Sequence, residues 1–100
     1  MALTGKQRRH LRALGHHLNS VVQIGHEGVT EALVRATDVQ LEAHELIKIR
    51  ISENAPAERH ASAEELAAKA SAEVAQVLGR TALLFRPRKE KPSIVLPKAT

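Results

Sequence analysis

Residues 21–28 read Val-Val-Gln-Ile-Gly-His-Glu-Gly and are followed directly by Val-Thr-Glu. The β-branched run predicts a short strand, and the Gly-x-x-Gly segment after it predicts a tight turn, because glycine carries no Cβ to hinder the backbone or to keep a ligand away. A helix that begins directly after the turn presents unpaired N–H groups and the positive end of its dipole, which together favour a phosphate. Most Gly-x-x-Gly pairs only mark turns, so the phosphate hypothesis depends on this position between strand and helix.

The segment before this stretch has the pattern of an amphipathic helix. Thr4 is a suitable N-cap for a helix that begins at Gly5 or Lys6. Leucines spaced by three and four residues predict its buried stripe: Leu11, Leu14 and Leu18. Basic side chains mostly fall off that stripe and predict a basic outer face: Lys6, Arg8, Arg9 and Arg12.

The segment after the turn predicts a second helix and a second strand. Thr30 or Gly28 is the candidate N-cap, and apolar residues at helical spacing lead to the helix end at His44-Glu45. Residues 46–51 then alternate, with isoleucines at 47, 49 and 51 on one face and Lys48 and Arg50 on the other. This pattern predicts a strand with one buried face and one basic face.

The last third of the chain predicts a helix and a hairpin. Ser62 followed by Glu65 has the spacing of a capping box, so we expect the third helix to begin there. Two β-prone runs, 74–78 and 81–85, flank Gly79-Arg80 and predict a hairpin. The run 94–96 is either an edge strand or a packed tail.

Together these elements predict a single α/β domain of order α-β-α-β-α-β-β, with helices covering a four-stranded sheet. One hundred residues suit one domain, which we place at residues 1–97 with a tail at 98–100.

Composition excludes several classes of function. The chain has no cysteine, and its six histidines lack ligand spacing, so we expect no metal and no cofactor. The chain has neither the Gly-x-x-x-x-Gly-Lys-Ser/Thr phosphate-binding loop of nucleoside triphosphatases nor a nucleophile elbow, which argues against an enzyme. No apolar run approaches the ~20 residues of a membrane span and no signal peptide is evident, so we expect a cytoplasmic protein. One aromatic residue in the chain excludes a stacking platform.

The distribution of charge points to a polyanionic partner. The net charge is +4, basic residues crowd the first twelve positions and residues 80–91, and the acids lie mostly between them. This segregation favours one basic face that binds nucleic acid over a uniformly charged surface. The candidate contacts are the basic first-helix face, the glycine turn and the strand pair: Lys6, Arg8, Arg9, Arg12, Gly25, His26, Glu27, Gly28, Lys48 and Arg50.

Three of these candidates have a plain structural alternative. His26 either donates to a phosphate or is only an exposed turn side chain. Lys48 and Arg50 either extend the basic surface of the first helix or form an ordinary solvated sheet face.

Four ordered motifs resemble a known family. Thr-Gly-Lys-Gln-Arg-Arg at 4–9, the stretch 21–30, His-Glu-Leu-Ile-Lys-Ile-Arg at 44–50, and Gly-Arg-Thr at 79–81 with Leu-Phe-Arg-Pro at 84–87 are similar to the YhbY-like CRM (chloroplast RNA splicing and ribosome maturation) domain. The resemblance implies a fold like the C-terminal domain of translation initiation factor three. It also implies RNA binding through a glycine turn likened to that of KH domains, and an association with precursors of the large ribosomal subunit. Glu27 departs from the basic or amide residue that many family members carry there.

The sequence therefore predicts a monomeric, non-catalytic RNA-binding domain that acts on ribosomal RNA during large-subunit assembly. The alternative is an adaptor that docks on a ribosomal or other protein through an acidic–basic contact, without touching RNA. A DNA-binding function ranks third, because the chain has no helix-turn-helix pattern.

Overall fold

The computed structural model describes residues 2–98, and this part of the chain contains three helices and one four-stranded sheet in the predicted order. The elements are α1 (Gly5–Gly15), β1 (Ser20–Ile24), α2 (Glu31–His44), β2 (Leu46–Ile51), α3 (Arg59–Lys69), β3 (Glu73–Leu78) and β4 (Thr81–Phe85). The sheet order is β1-β2-β4-β3, with β1 parallel to β2 and the other two pairs antiparallel. The predicted fold class is confirmed. Residue 1 and the last two residues of the predicted tail 98–100 lie outside the described residues.

The sheet buries a different apolar cluster on each face. The isoleucines of β2 pack with α2 and α3, as their alternation predicts, and we call this side the α2–α3 face. The cluster on the opposite side, the α1 face, contains Leu3, Leu11, Leu46, Ala75, Leu83 and Phe85, with Leu18, Ile94 and Leu96 packed against it. The sheet is therefore a central layer, and α1 covers only part of one side.

Helix α1 begins as predicted and packs very closely at its end. Thr4 and Gln7 form a reciprocal capping box, which satisfies two N–H groups at the helix start. A Cβ on Gly15 would lie 2.7 Å from the side chain of Leu83, so only glycine allows this approach. Leu14, which we expected in the buried stripe, is 46% exposed and borders a surface groove instead.

Helix α3 begins four residues before the predicted capping box. Its N-cap is Glu58, whose carboxylate accepts hydrogen bonds from the backbone N–H groups of His60 and Ala61. Ser62 is buried inside the helix and donates its hydroxyl to the carbonyl oxygen of Ala57. The prediction was wrong because the Ser-x-x-Glu spacing occurs one turn into a helix that an upstream carboxylate already caps.

Residues 86–98 form a tail that packs on the α1 face, so of the two predicted alternatives the edge strand was wrong. Ile94 and Leu96 rest against the apolar cluster, while Val95 is 81% exposed. The side-chain amide of Gln7 donates to the carbonyl oxygen of Pro97 at 3.1 Å, which joins the tail to α1.

Glu45 anchors this tail from the centre of the molecule. It is the single residue between α2 and β2, with φ of +64°, and its side chain is fully buried. The carboxylate accepts hydrogen bonds from the N–H groups of Arg88, Ser93 and Ile94 and from the Ser93 hydroxyl, at 2.7–3.0 Å. The local sequence pattern predicts for Glu45 only that it ends α2, because its hydrogen-bond donors come from distant residues.

Candidate functional site

The Gly-x-x-Gly segment is a closed four-residue turn at the end of β1. The N–H group of Gly28 donates to the carbonyl oxygen of Gly25 at 3.0 Å, so this N–H is not free for a ligand. Gly28 has φ of +75°, and a Cβ there would lie 3.0 Å from the ring of Pro56. Gly25 has open space around it. Only the second glycine is therefore required by the fold.

The tip of this turn carries one imidazole and one carboxylate. The side chains of His26 and Glu27 are 79% and 74% exposed, with His26 Nε2 at 3.9 Å from Glu27 Oε1. A phosphate approaching the tip meets the carboxylate as well as the ring, and like charges repel. The turn thus offers a phosphate one histidine side chain, but the carboxylate beside it repels the same phosphate.

Helix α2 does not begin directly at the turn, which corrects the predicted geometry. Two residues intervene, and Thr30 is the N-cap, with its hydroxyl oxygen accepting the N–H of Leu33 at 3.1 Å. Thr30 was one of the two predicted caps, and Gly28 was not the one used. One donor of the first turn is therefore already satisfied inside the protein.

Lys48 and Arg50 extend from β2 on the α1 face, as their alternation predicts. Lys48 pairs with Leu83 of β4, and Arg50 pairs with Thr81 on that strand and with Gln23 on β1. Lys48 is half-buried and Arg50 is exposed. Neither side chain makes an ion pair or a side-chain hydrogen bond within residues 2–98.

The structure brings one of the four helix cations to Lys48, whereas Arg50 lies outside the groove that these two residues share. Arg12 and Lys48 line the same groove between the end of α1 and the sheet. Lys6, Arg8 and Arg9 are exposed earlier on α1 and do not line that groove. The α1–β1 connection lies at one end of β1, and the glycine turn lies at the other end. The glycine turn therefore does not line the groove either. The predicted residues therefore form a groove, a helix surface and a turn rather than one pocket.

The two arginines of the tail are engaged within the protein. Arg86 contacts Asp38 Oδ1 at 2.6 Å and Glu42 Oε2 at 3.4 Å, and it donates to the Ala70 carbonyl oxygen. Arg88 donates to the carbonyl oxygens of Glu42 and Ala43 at the end of α2, where the helix dipole favours a cation. The basic charge near the chain end thus holds the tail in place, and two of the acids of α2 are neutralised in doing so.

Two carboxyl groups have strongly shifted pKa values, and both are structural. Burial alone would raise the pKa of Glu45, but the hydrogen bonds from Arg88, Ser93 and Ile94 outweigh it and lower the pKa to about 2. At Glu58, the hydrogen bonds from the backbone and ring of His60 are the main cause of a pKa lowered to about 2. These shifts report the anchoring of the tail and the cap of α3.

Sequence reasoning missed two polar residues of the groove, His16 and Gln76. A β-bulge between Val74 and Gln76 shifts the register of β3. It places Gln76 opposite Leu83 on the α1 face, the same side as Ala75. Simple alternation counted from Val74 assigns Gln76 to the α2–α3 face, so the sequence pattern does not predict that Gln76 lines the groove. For His16 the sequence gives no signal beyond its place just after α1.

Residues 2–98 hold neither a cluster of potential metal ligands nor a membrane-spanning helix. No group of three or more potential metal ligands lies close together there. In the same part of the chain, the longest helices are too short and too polar to cross a membrane.

Comparison with known proteins gives consistent matches. The model of the CRS1 / YhbY (CRM) domain matches residues 3–86. The chain is 37% identical over 95 residues to the probable RNA-binding protein YqeI of Bacillus subtilis, covering 95% of this chain and 99% of that one. It is 43% identical over 88 residues to a probable RNA-binding protein of Methanocaldococcus jannaschii, covering 86% and 65% of the two chains. The solution structure of a hypothetical protein from Staphylococcus aureus superimposes with a TM-score of 0.82 at 38% identity, covering 96% and 100%.

Proposed function

The chain belongs to the CRS1 / YhbY (CRM) domain family, and on that premise we propose that it is a non-catalytic RNA-binding protein that acts as a monomer. Relatives that align over nearly its whole length are named as probable RNA-binding proteins, which supports RNA as the ligand.

One observation about the surface carries the proposal. The predicted cations of α1 and β2 have no ion pair within residues 2–98, whereas Arg86 and Arg88 of the tail are engaged by the protein itself. A half-buried lysine without a counter-ion, such as Lys48, gains most from an anionic ligand that supplies the missing charge. Phosphate groups of RNA are such a ligand.

The RNA is single-stranded or irregular in this proposal, because a regular RNA duplex hides its base edges in a deep, narrow groove. Its finer form is ribosomal RNA within precursors of the large subunit, in the cytoplasm. The family resemblance of the four motifs supports ribosomal RNA as the ligand.

The experiment is co-sedimentation of the protein with ribosomal particles at low and moderate salt, followed by crosslinking to identify the RNA contacted. We expect the protein in precursor or free large-subunit fractions, with crosslinks through α1 or β2. A variant with Arg12→Ala and Lys48→Ala tests whether these two cations contribute to binding. It should move towards the top of the gradient at moderate salt. Protein found only at the top at both salts, with no RNA attached, would refute the proposal.

A second candidate function is a protein-docking adaptor. An apolar groove of about 380 Å³ lies between the α1–β1 connection, the start of β2 and the tail. Leu14 and Val21 border it and are 46% and 43% exposed, so the groove offers a partner protein an apolar surface to cover. The same gradient separates the two functions, because an adaptor would enter ribosomal fractions without forming RNA crosslinks.

A further inference from the structure

The groove between α1 and the sheet is small, and both polar and apolar side chains line it. It measures about 130 Å³, enough for about four water molecules at about 30 Å³ each. Its floor crosses three strands in register, from Lys48 on β2 through Leu83 on β4 to Gln76 on β3. Adjacent strands are about 4.8 Å apart, so the lysine and glutamine backbones lie roughly 10 Å from each other on either side of the leucine.

The helix supplies the second wall of this groove. Arg12 and His16 line it from the end of α1, and Gly15 lets that end rest directly on Leu83. Leu78, on the next row of the sheet, also lines the groove and is 65% exposed. The walls therefore combine two cations, an exposed apolar side chain and an amide, and no carboxylate of residues 2–98 lines them.

We infer that this groove binds one unpaired pyrimidine nucleotide of the RNA, an inference that rests on the proposed function. The small volume suits a single ring better than a purine. Arg12 offers a planar cation on which a base can stack, replacing the aromatic platform that the chain lacks. Gln76 carries both a donor and an acceptor and can bond the edge of uracil or cytosine. Lys48 is a point charge for the adjoining phosphate.

The bulge in β3 is an independent sign that the groove is built for a ligand. Counted from Val74, which packs on the α2–α3 face, strict alternation would turn Gln76 towards that face, where the apolar core lies. The extra residue places the amide on the α1 face beside Leu83, at a cost in ladder regularity. Gln76 makes no side-chain hydrogen bond within residues 2–98, so its amide is available.

The test measures binding of short single-stranded RNAs of one base, oligo-U, oligo-C and oligo-A, by fluorescence anisotropy. We expect the wild-type protein to prefer the two pyrimidine RNAs. Gln76→Ala should weaken pyrimidine binding about fivefold, the effect of losing one hydrogen bond, and leave oligo-A binding unchanged. The matched control is Gln23→Ala, which removes the same side chain from the same face of the sheet outside the groove.

A crosslinking measurement on the unmodified protein guards against misfolded variants. Oligo-U carrying 4-thiouridine should crosslink to His16, Gln76 or Leu78. Equal affinities for the three RNAs, equal effects of the two glutamine variants, or crosslinks confined to residues 25–28 would each overturn the pyrimidine site while leaving RNA binding intact. Absence of binding to every RNA would overturn the proposed function and this inference with it.

Discussion

Replacing Glu45 by glutamine should destabilise the domain by about 3 kcal/mol near neutral pH. The carboxylate is fully buried, and one of its oxygens accepts three hydrogen bonds while the other accepts the N–H of Arg88. In the variant Glu45→Gln, three bonds lose their charge, and the amide NH₂ faces the N–H of Arg88 without an acceptor between them. Loss of charge-assisted bonds and the two facing donors left without an acceptor together account for this magnitude.

The same hydrogen bonds make the stability depend on pH. The pKa of Glu45 is lowered from 4.5 to about 2 in the folded protein, which corresponds to about 3 kcal/mol of stability. Because the folded pKa is the lower one, this stability is fully present above about pH 4.5 and is lost as the pH falls towards about 2. Near pH 3 we expect about half of it to remain.

The assay is urea unfolding of the wild type, Glu45→Gln and the matched control Glu64→Gln near pH 7 and near pH 3. The control changes an exposed helix residue and should shift the free energy of unfolding by no more than about 0.5 kcal/mol. Glu58 titrates over the same pH range in all three proteins, so only their differences report Glu45. The wild type and Glu45→Gln should differ in free energy of unfolding at neutral pH, and this difference should shrink in acid. If either result is not seen, Glu45 does not anchor the tail.

Three further predictions concern the turn and the helix. Gly28→Ala should lower the free energy of unfolding by 1 kcal/mol or more in urea titrations, because φ of +75° and the nearby proline ring disfavour a Cβ, while Gly25→Ala serves as the unstrained control. The double variant Arg8→Ala and Arg9→Ala should reduce the slope of log affinity against log salt by up to about 1.4 in RNA titrations; an unchanged slope would mean that neither residue contacts phosphate. Glu27→Gln should raise RNA affinity about twofold at low salt, and an unchanged affinity would place the turn tip away from the phosphates.

Local patterns predicted those parts of the fold in which neighbouring residues alone decide the structure. The isoleucine alternation fixed the buried face of β2, and Gly79, with φ of +56°, forms the predicted hairpin turn. The capping residues Thr4 and Thr30 act through bonds to residues three positions away. Such bonds can be recognised within a short window of sequence.

The sequence failed where distant segments determine a residue's environment. Glu45 is buried because segments more than forty residues away supply its donors, and no local pattern encodes that encounter. Gln76 lies on the α1 face because of a bulge, which composition does not reveal. The candidate site was predicted as a list of cations, but its division between a groove, an exposed helix and a turn required the tertiary structure.

The tail has a consequence for how this domain matures during synthesis. The buried carboxylate that joins α2 to β2 is made early, while three of its four hydrogen bonds come from Ser93 and Ile94, and Pro97 closes onto α1 later still. A growing chain therefore lacks most of the donors for this carboxylate, and part of the cover of its apolar cluster, until residues 93–97 have left the ribosome. The α1 face is therefore completed after the sheet has been synthesised, and the nascent protein presents its basic helix before that face is closed.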